Sequence, residues 1–244
     1  MKHWTTAIFL ITLVGCGPGE ANIYNEPSAL LFEPESCVTA SGDTLNLGTA
    51  FTFEMYIQGT EAPTDSMGPI LTFGSSLMLW TSPSATWLSE PAENPSTGIL
   101  TGTSLYDGEK HHLAAVWSDE DLGGALYIDG QRYGTGQNIA AGAAIRVADE
   151  VNIGCWVSGG HHFEGIIDEV RISTGVRYPT LFIPPTDALT YDDDTLALWH
   201  FDQGTGDTVH EEEDRFFGTA IGTTWTEGLT VPATTDSYTQ TDEP

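Results

Sequence analysis

The chain has 244 residues, with 35 Asp and Glu against 7 Lys and Arg, a formal net charge of −28. That excess of acid excludes nucleic acid as a partner, because phosphate binding rests on Lys and Arg, and it repels anionic surfaces while permitting divalent cations. The length allows one sizeable core, and all-β sandwiches of roughly 200 residues commonly stay a single domain.

At the start of the chain, Lys2 and His3 precede a short apolar run over residues 7–14, which breaks at Gly15 and is followed by Gly17-Pro18-Gly19. A membrane-spanning helix needs about 20 apolar residues, so residues 1–15 read as a cleaved signal peptide. Leu13-Val14-Gly15-Cys16 resembles the bacterial lipobox, which implies lipidation of Cys16 and a membrane anchor in which each buried methylene adds about 0.8 kcal/mol. The alternatives are an ordinary secretory signal with an incidental cysteine and a retained anchor. Gly17 stands where an Asp would resemble an inner-membrane retention signal, so the expected location is the cell envelope, lipid-anchored at the outer membrane. Residues 16–27 read as the lipidated Cys16 and a Gly- and Pro-containing tether.

From residue 28 onward the pattern is strand, turn, strand. Phe51, Phe53, Met55 and Ile57 alternate with Thr52, Glu54 and Tyr56, which predicts a half-buried strand. His111-His112-Leu113-Ala114-Ala115-Val116-Trp117 predicts another. Ala125-Leu126-Tyr127-Ile128 follows, and Asp129-Gly130 sets a tight hairpin into Gln131-Arg132-Tyr133. Residues 151–154, 163–172 and 196–201 supply further strands. No long helical periodicity occurs, and the Ala-rich residues 139–144 are too short to count. The fold class is therefore all-β, an antiparallel β-sandwich or jelly roll over residues 28–228. Residues 229–244, rich in Thr and acid, read as a disordered acidic tail.

Cys37 and Cys155 both fall in strand or strand-end sequence. In an oxidising compartment they either form a disulfide, closing a loop that contributes about 5 kcal/mol in the chain-entropy model, or remain two buried thiols.

Several segments together resemble the LamG-like jelly-roll domains of the concanavalin A-like lectin/glucanase superfamily. Ser28-Ala29-Leu30-Leu31-Phe32 with Cys37-Val38-Thr39 is similar to the opening strand. Leu45-Asn46-Leu47 before Phe51-Thr52-Phe53-Glu54-Met55-Tyr56-Ile57 resembles the family's "SLNL…FTVEAWV" stretch. The more specific matches are His111 to Trp117 with Leu126-Tyr127-Ile128-Asp129-Gly130, similar to "WHHVAAV…LYVDG", and Phe163-Glu164-Gly165-Ile166-Ile167-Asp168-Glu169-Val170-Arg171-Ile172, similar to "FNGYIDEVRIY". The chain departs from the pattern at Lys110, where the family usually has Trp, and at Glu33-Pro34-Glu35, which replaces a "DG" turn. Leu198-Trp199-His200-Phe201-Asp202 resembles a segment that usually begins such a domain; here it reads as a last strand of the same sandwich, or as the start of a truncated second copy.

Strict alternation places Asp168 on the face of Ile166, Val170 and Ile172, and Glu169 on the opposite face with Ile167 and Arg171. A carboxylate facing a core needs a partner. Hydrogen bonds from backbone N–H groups or a His would satisfy Asp168, and calcium, which takes six to eight oxygens, is the sharper alternative, with Asp202 as a second ligand. Asp192-Asp193-Asp194 and Glu211-Glu212-Glu213-Asp214 read as solvated charge runs. The pairs His111-His112 and His161-His162 do not chelate zinc easily, because adjacent strand residues point to opposite faces. The Gly-rich loop over residues 154–162 is different: Trp156, His161 and His162 form a candidate ligand rim whose aromatic faces and polar edges suit sugar rings. Trp80 and Trp87 are further platforms or core residues.

No Ser/His/Asp or Cys/His signature stands out, and Glu164 to Glu169 fails the Glu-x-Asp-x-x-Glu spacing of the superfamily's glucanases, so no catalytic residue is assigned. The expected function is a non-catalytic, lipid-anchored envelope module that binds glycan or another extracellular ligand. The alternatives are a structural or adhesion protein that binds another envelope protein, and a glycoside-active enzyme.

Overall fold

The structure, a computed structural model, describes residues 27–61, 63–64, 67–74, 77–89, 98–120, 123–136, 146–158 and 160–230. The signal segment, Cys16, the tether up to residue 26, residues 139–144 and the tail from residue 231 on lie outside the described residues, while Leu229 and Thr230, expected at the start of that tail, are buried. Among the described residues the elements are β1 (Ser28–Phe32), β2 (Cys37–Asn46), β3 (Ala50–Gly59), β4 (Gly68–Phe73), β5 (Leu77–Ser82), β6 (Ala85–Ser89), β7 (Gly98–Leu100), β8 (His111–Ser118) and β9 (Gly123–Ile128). They continue as β10 (Gln131–Gly136), β11 (Val147–Ile153), β12 (Cys155–Trp156), β13 (His161–His162), β14 (Gly165–Thr174), β15 (Thr195–Trp199), β16 (Thr208–His210), β17 (Phe216–Ile221) and β18 (Thr224–Glu227).

Two antiparallel sheets face each other. One runs β10-β9-β8-β3-β14-β1-β18, with β15 also on β14; the other runs β16-β17-β2-β11-β4-β5-β6-β7. This is the antiparallel jelly-roll sandwich expected from the alternation. The core lies between the sheets, where Phe53 of β3 meets Phe73 of β4 with ring centroids 6.0 Å apart. Met55, Ile57, Ile167, Val170, Ile172 and Trp199 line it from one side, and Val38, Leu71, Leu79, Val151 and Phe216 from the other. The hairpin at Asp129-Gly130 forms as expected, with φ of 51° and 74° at the two positions, the paired positive values of a type I′ turn.

Two expectations need correction. Strand β3 is not half-buried: Thr52, Glu54 and Tyr56 on its outer face are 0 %, 0 % and 2 % exposed. The cause is the segment over residues 175–190, which straps the outside of the sheet. Its Val176, Tyr178 and Phe182 pack on Ala114, Val116, Ala125 and Tyr127, while Leu189 joins Tyr56, Leu198 and Leu229. Glu54 is the hub beneath this strap. It accepts from Arg171 Nε at 2.8 Å, Tyr178 Oη at 2.5 Å and His112 Nε2 at 3.3 Å. Burial pushes the Glu54 carboxyl up, but these donors outweigh it and hold it below its ordinary value.

The second correction concerns β14. Asp168 pairs with Tyr56 and Arg171 with Glu54, so one extra residue is inserted between them, and Glu169 sits at φ +54°. A β-bulge of this kind breaks the period of two. Ile167, Val170 and Ile172 therefore face the core, whereas Asp168 does not share their face: it accepts a 2.7 Å hydrogen bond from the Leu229 N–H on the strap side. Glu169 lies on that same side, accepting from the Leu189 N–H at 2.8 Å. The same strand edge is divided between β1, which pairs with residues 165–167, and β15, which pairs with residues 170–173.

Candidate functional site

At one end of the sandwich the two-residue strands β12 and β13 form a small hairpin, pairing Cys155 with His162 and Trp156 with His161. A disulfide between Cys37 at the start of β2 and Cys155, with Cα atoms 5.2 Å apart, ties this hairpin to the sheet. Gly154 makes the entry turn at φ +74°, and a Cβ there would lie 2.2 Å from the Phe32 ring, so only glycine passes. The Trp156 and His161 rings stack at 5.9 Å with an interplanar angle of 13°. His162 Nδ1 lies 2.9 Å from the Ser36 carbonyl, to which it donates. Trp156, His161 and His162 are all partly exposed, so the three predicted rim residues are together on one hairpin.

Beside the hairpin lies a pocket of about 230 Å³ lined by Pro34, Glu35, Thr64, His162 and Glu164. Glu164 Oε1 accepts from the Thr64 N–H at 2.6 Å and from the Thr64 hydroxyl. Glu35, at φ +73°, completes the β1–β2 turn that carries the unusual Glu33-Pro34-Glu35 sequence. Sequence reasoning missed Glu35, Thr64 and Glu164. The available signal was the departure of that turn from the family pattern. The other tryptophans belong elsewhere: Trp80 is 2 % exposed and meets Trp87 across β5 and β6 at 4.1 Å.

Asp168 and Asp202 border a second group of polar side chains. Glu169, His200 and Asp202 have ligand atoms all within 4.8 Å of one another. His200 Nδ1 is 2.9 Å from Glu169, and its Nε2 is 3.1 Å from Glu212. Asp202 accepts from the Ser28 N–H at 2.9 Å. Burial, then the charges of Glu169 and Asp202, push Asp168 up to about 7, and its Oδ1 is buried with no hydrogen-bond partner. Burial likewise raises Glu169. On His200 burial opposes the charge, but Glu169 and Glu212 outweigh it and lift the imidazole to about 9. The Glu169 and Asp202 carboxylates, with the unpartnered Asp168 Oδ1 close enough to feel their charge, are ligands of the kind an oxygen-seeking cation takes. Sequence reasoning named Asp168 and Asp202 but missed Glu169 and His200, because strict alternation puts Glu169 on the wrong face.

The acidic runs have structural partners. Asp192 forms a two-point pair with Arg177 at 2.5 and 2.8 Å, and buried Glu211 accepts from the Arg215 N–H at 3.1 Å.

Two antiparallel sheets packed face to face define a jelly-roll β-sandwich. Residues 34–180 match the laminin G-type model of the concanavalin A-like lectin/glucanases superfamily, and the chain belongs to that family. Among solved structures it is similar to a candidate carbohydrate-binding protein from Bacteroides ovatus ATCC 8483, at 15% identity and a TM-score of 0.60, over 86% of this chain and 62% of that one. The chain thus spans under two thirds of that protein's length. It is also similar to the heptameric SAP-like pentraxin of Limulus polyphemus, at 14% identity and a TM-score of 0.50, over 82% of this chain and 98% of that one. No curated protein matches the chain.

Proposed function

We propose that the protein is a non-catalytic glycan-binding module whose ligand sits at the rim formed by Trp156, His161 and His162 and the adjoining pocket. The observation that carries this reading is the hairpin itself: a disulfide holds a stacked Trp156–His161 pair beside the carboxylates of Glu35 and Glu164. An aromatic face takes the apolar side of a sugar ring, and fixed acceptors at its edge take hydroxyls. The fold shared with a candidate carbohydrate-binding protein supports the same reading. Lipid attachment through Cys16 would place the module on the cell envelope, at the outer membrane.

Calcium is the cation proposed for the Asp168, Glu169 and Asp202 carboxylates, where it would hold β14 to β15 and to the start of β1 rather than touch the rim. Glycan-array binding of residues 20–244, repeated with Trp156→Ala, tests the rim: retention of one glycan class that the variant loses supports it. Capture of an envelope protein with no glycan retained would instead favour an adhesion role. Thermal melts with and without calcium test the cation site, where a stabilising shift absent in Asp168→Asn is expected.

A further inference from the structure

A second pocket, of about 350 Å³, lies where the strap crosses the outer face of the first sheet, lined by Tyr56, Lys110, His112, Asp129 and the strap residues Pro184, Pro185 and Thr186. It shares no lining residue with the rim pocket. Its volume falls in the range of small-molecule sites, roughly 300–1,000 Å³. The strap is fixed over it: the Tyr56 hydroxyl donates to the Pro185 carbonyl, and Phe182 packs on Tyr127 and Tyr178.

His112 gives the pocket a specific chemistry. The residue is 2 % exposed, boxed by the edges of Tyr56, Tyr178 and Phe182. Its Nε2 is committed to Glu54, an ionised acceptor, so Nε2 carries a proton and Nδ1 is the ring nitrogen left for a ligand. That Nδ1 is buried and has no hydrogen-bond partner. A buried polar atom left unpaired is costly, and a ligand hydroxyl, which can donate or accept, would pair it.

The two charged lining residues narrow the ligand further. Lys110 lies over the Tyr56 ring at 5.1 Å and donates to the Leu229 carbonyl, which leaves two of its three N–H groups for a ligand. Asp129 accepts from the His112 N–H at 2.9 Å and lies 2.7 Å from His111 Nδ1, and its side chain remains 51 % exposed. A singly charged ligand of either sign is attracted by one of these two residues and repelled by the other, so net charge gains little here. Hydroxyl groups suit all three residues, because each both donates and accepts. We infer that this pocket binds a neutral polyhydroxylated ring, one sugar unit, through Lys110, His112 and Asp129. The inference extends the glycan-binding reading to a second site but stands on a different set of residues.

The test is NMR of protein labelled with 15N in histidine, following His112 Nδ1 while methyl glucoside, methyl galactoside, methyl mannoside, N-acetylglucosamine and myo-inositol are added in turn. At least one should move the Nδ1 resonance saturably, and Lys110→Met and Asp129→Asn should each weaken that response about tenfold, the loss of one hydrogen bond to a charged group. Glucuronate and glucosamine, which add one charge of either sign, should bind more weakly than their neutral counterparts. An Nδ1 resonance unmoved by all five probes overturns the inference, as does tighter binding of glucuronate, which would make this an anion site. Trp156→Ala separates the two readings. If it abolishes glycan-array retention and leaves the His112 response intact, both sites stand; if the wild-type protein responds at Trp156 alone, only the rim survives.

Discussion

The contrast between two aspartates shows how far the surroundings set the behaviour of one side chain. Asp119 accepts from the two terminal Arg146 guanidinium nitrogens at 2.8 and 2.7 Å and from the Trp117 indole at 2.9 Å, and these donors pull its carboxyl down to about 2. A carboxyl whose folded value is depressed stabilises the fold above the unfolded value and loses that contribution as pH falls. Acid titration should therefore cost the protein stability between about pH 4 and pH 2, and Asp119→Asn should flatten that stretch of the stability curve; urea melts at successive pH values measure it. Asp168 is the opposite case: burial, then the charges of Glu169 and Asp202, push its carboxyl up to about 7. With calcium chelated at neutral pH, Asp168→Asn should raise stability by roughly 1–3 kcal/mol, since the amide keeps an acceptor for the Leu229 N–H while removing buried charge. Chemical denaturation of the two proteins checks this.

Among the elements, β12 and β13 are too short to persist as an isolated hairpin. Their position depends on the Cys37–Cys155 bridge, on Gly154 against Phe32 and on His162 bonded to Ser36. The bridge spans 118 residues of sequence, and a loop of that length contributes about 4–5 kcal/mol in the chain-entropy model. Replacing Cys37 and Cys155 together with Ser should lower stability by roughly 2–5 kcal/mol. It should weaken the proposed glycan binding further than the stability loss explains, because the hairpin loses its tether. Calorimetry and glycan titration at a temperature where both proteins are folded distinguish the two effects. Strand β14 makes the complementary point: a single inserted residue at Glu169 turns two consecutive carboxylates to one side and creates the cluster that alternation would have divided.

For the molecule as a whole, the strap over residues 175–190 turns a two-layer sandwich into one whose first sheet is covered on both faces. Glu54 binds the layers together by accepting from β14 through Arg171, from β8 through His112 and from the strap through Tyr178. Removing one member of a buried ionic network leaves its partners uncompensated, at a cost of about 3–5 kcal/mol. Glu54→Ala should lower stability by that amount and expose the strap, which hydrogen exchange at the Arg177 and Phe182 amides, bonded to Thr52 and Gly130, would register as lost protection. A conservative Tyr178→Phe, which removes one donor to a charged group, should cost about 1.5–3 kcal/mol.

The sequence by itself determined the sandwich and its strands, because a period of two and an Asp-Gly turn are local properties that any folded arrangement must respect. It also placed Trp156, His161 and His162 together, since a short Gly-rich loop brings neighbours in sequence together in space. Only the tertiary structure decided that Cys37 meets Cys155, that Glu35 and Glu164 join the rim, and that a strap closes a pocket over His112. Those contacts join residues far apart in the chain. The face of Asp168 was decided there too, by a bulge whose extra residue is set by pairing with β3 and leaves no mark in the alternation of β14.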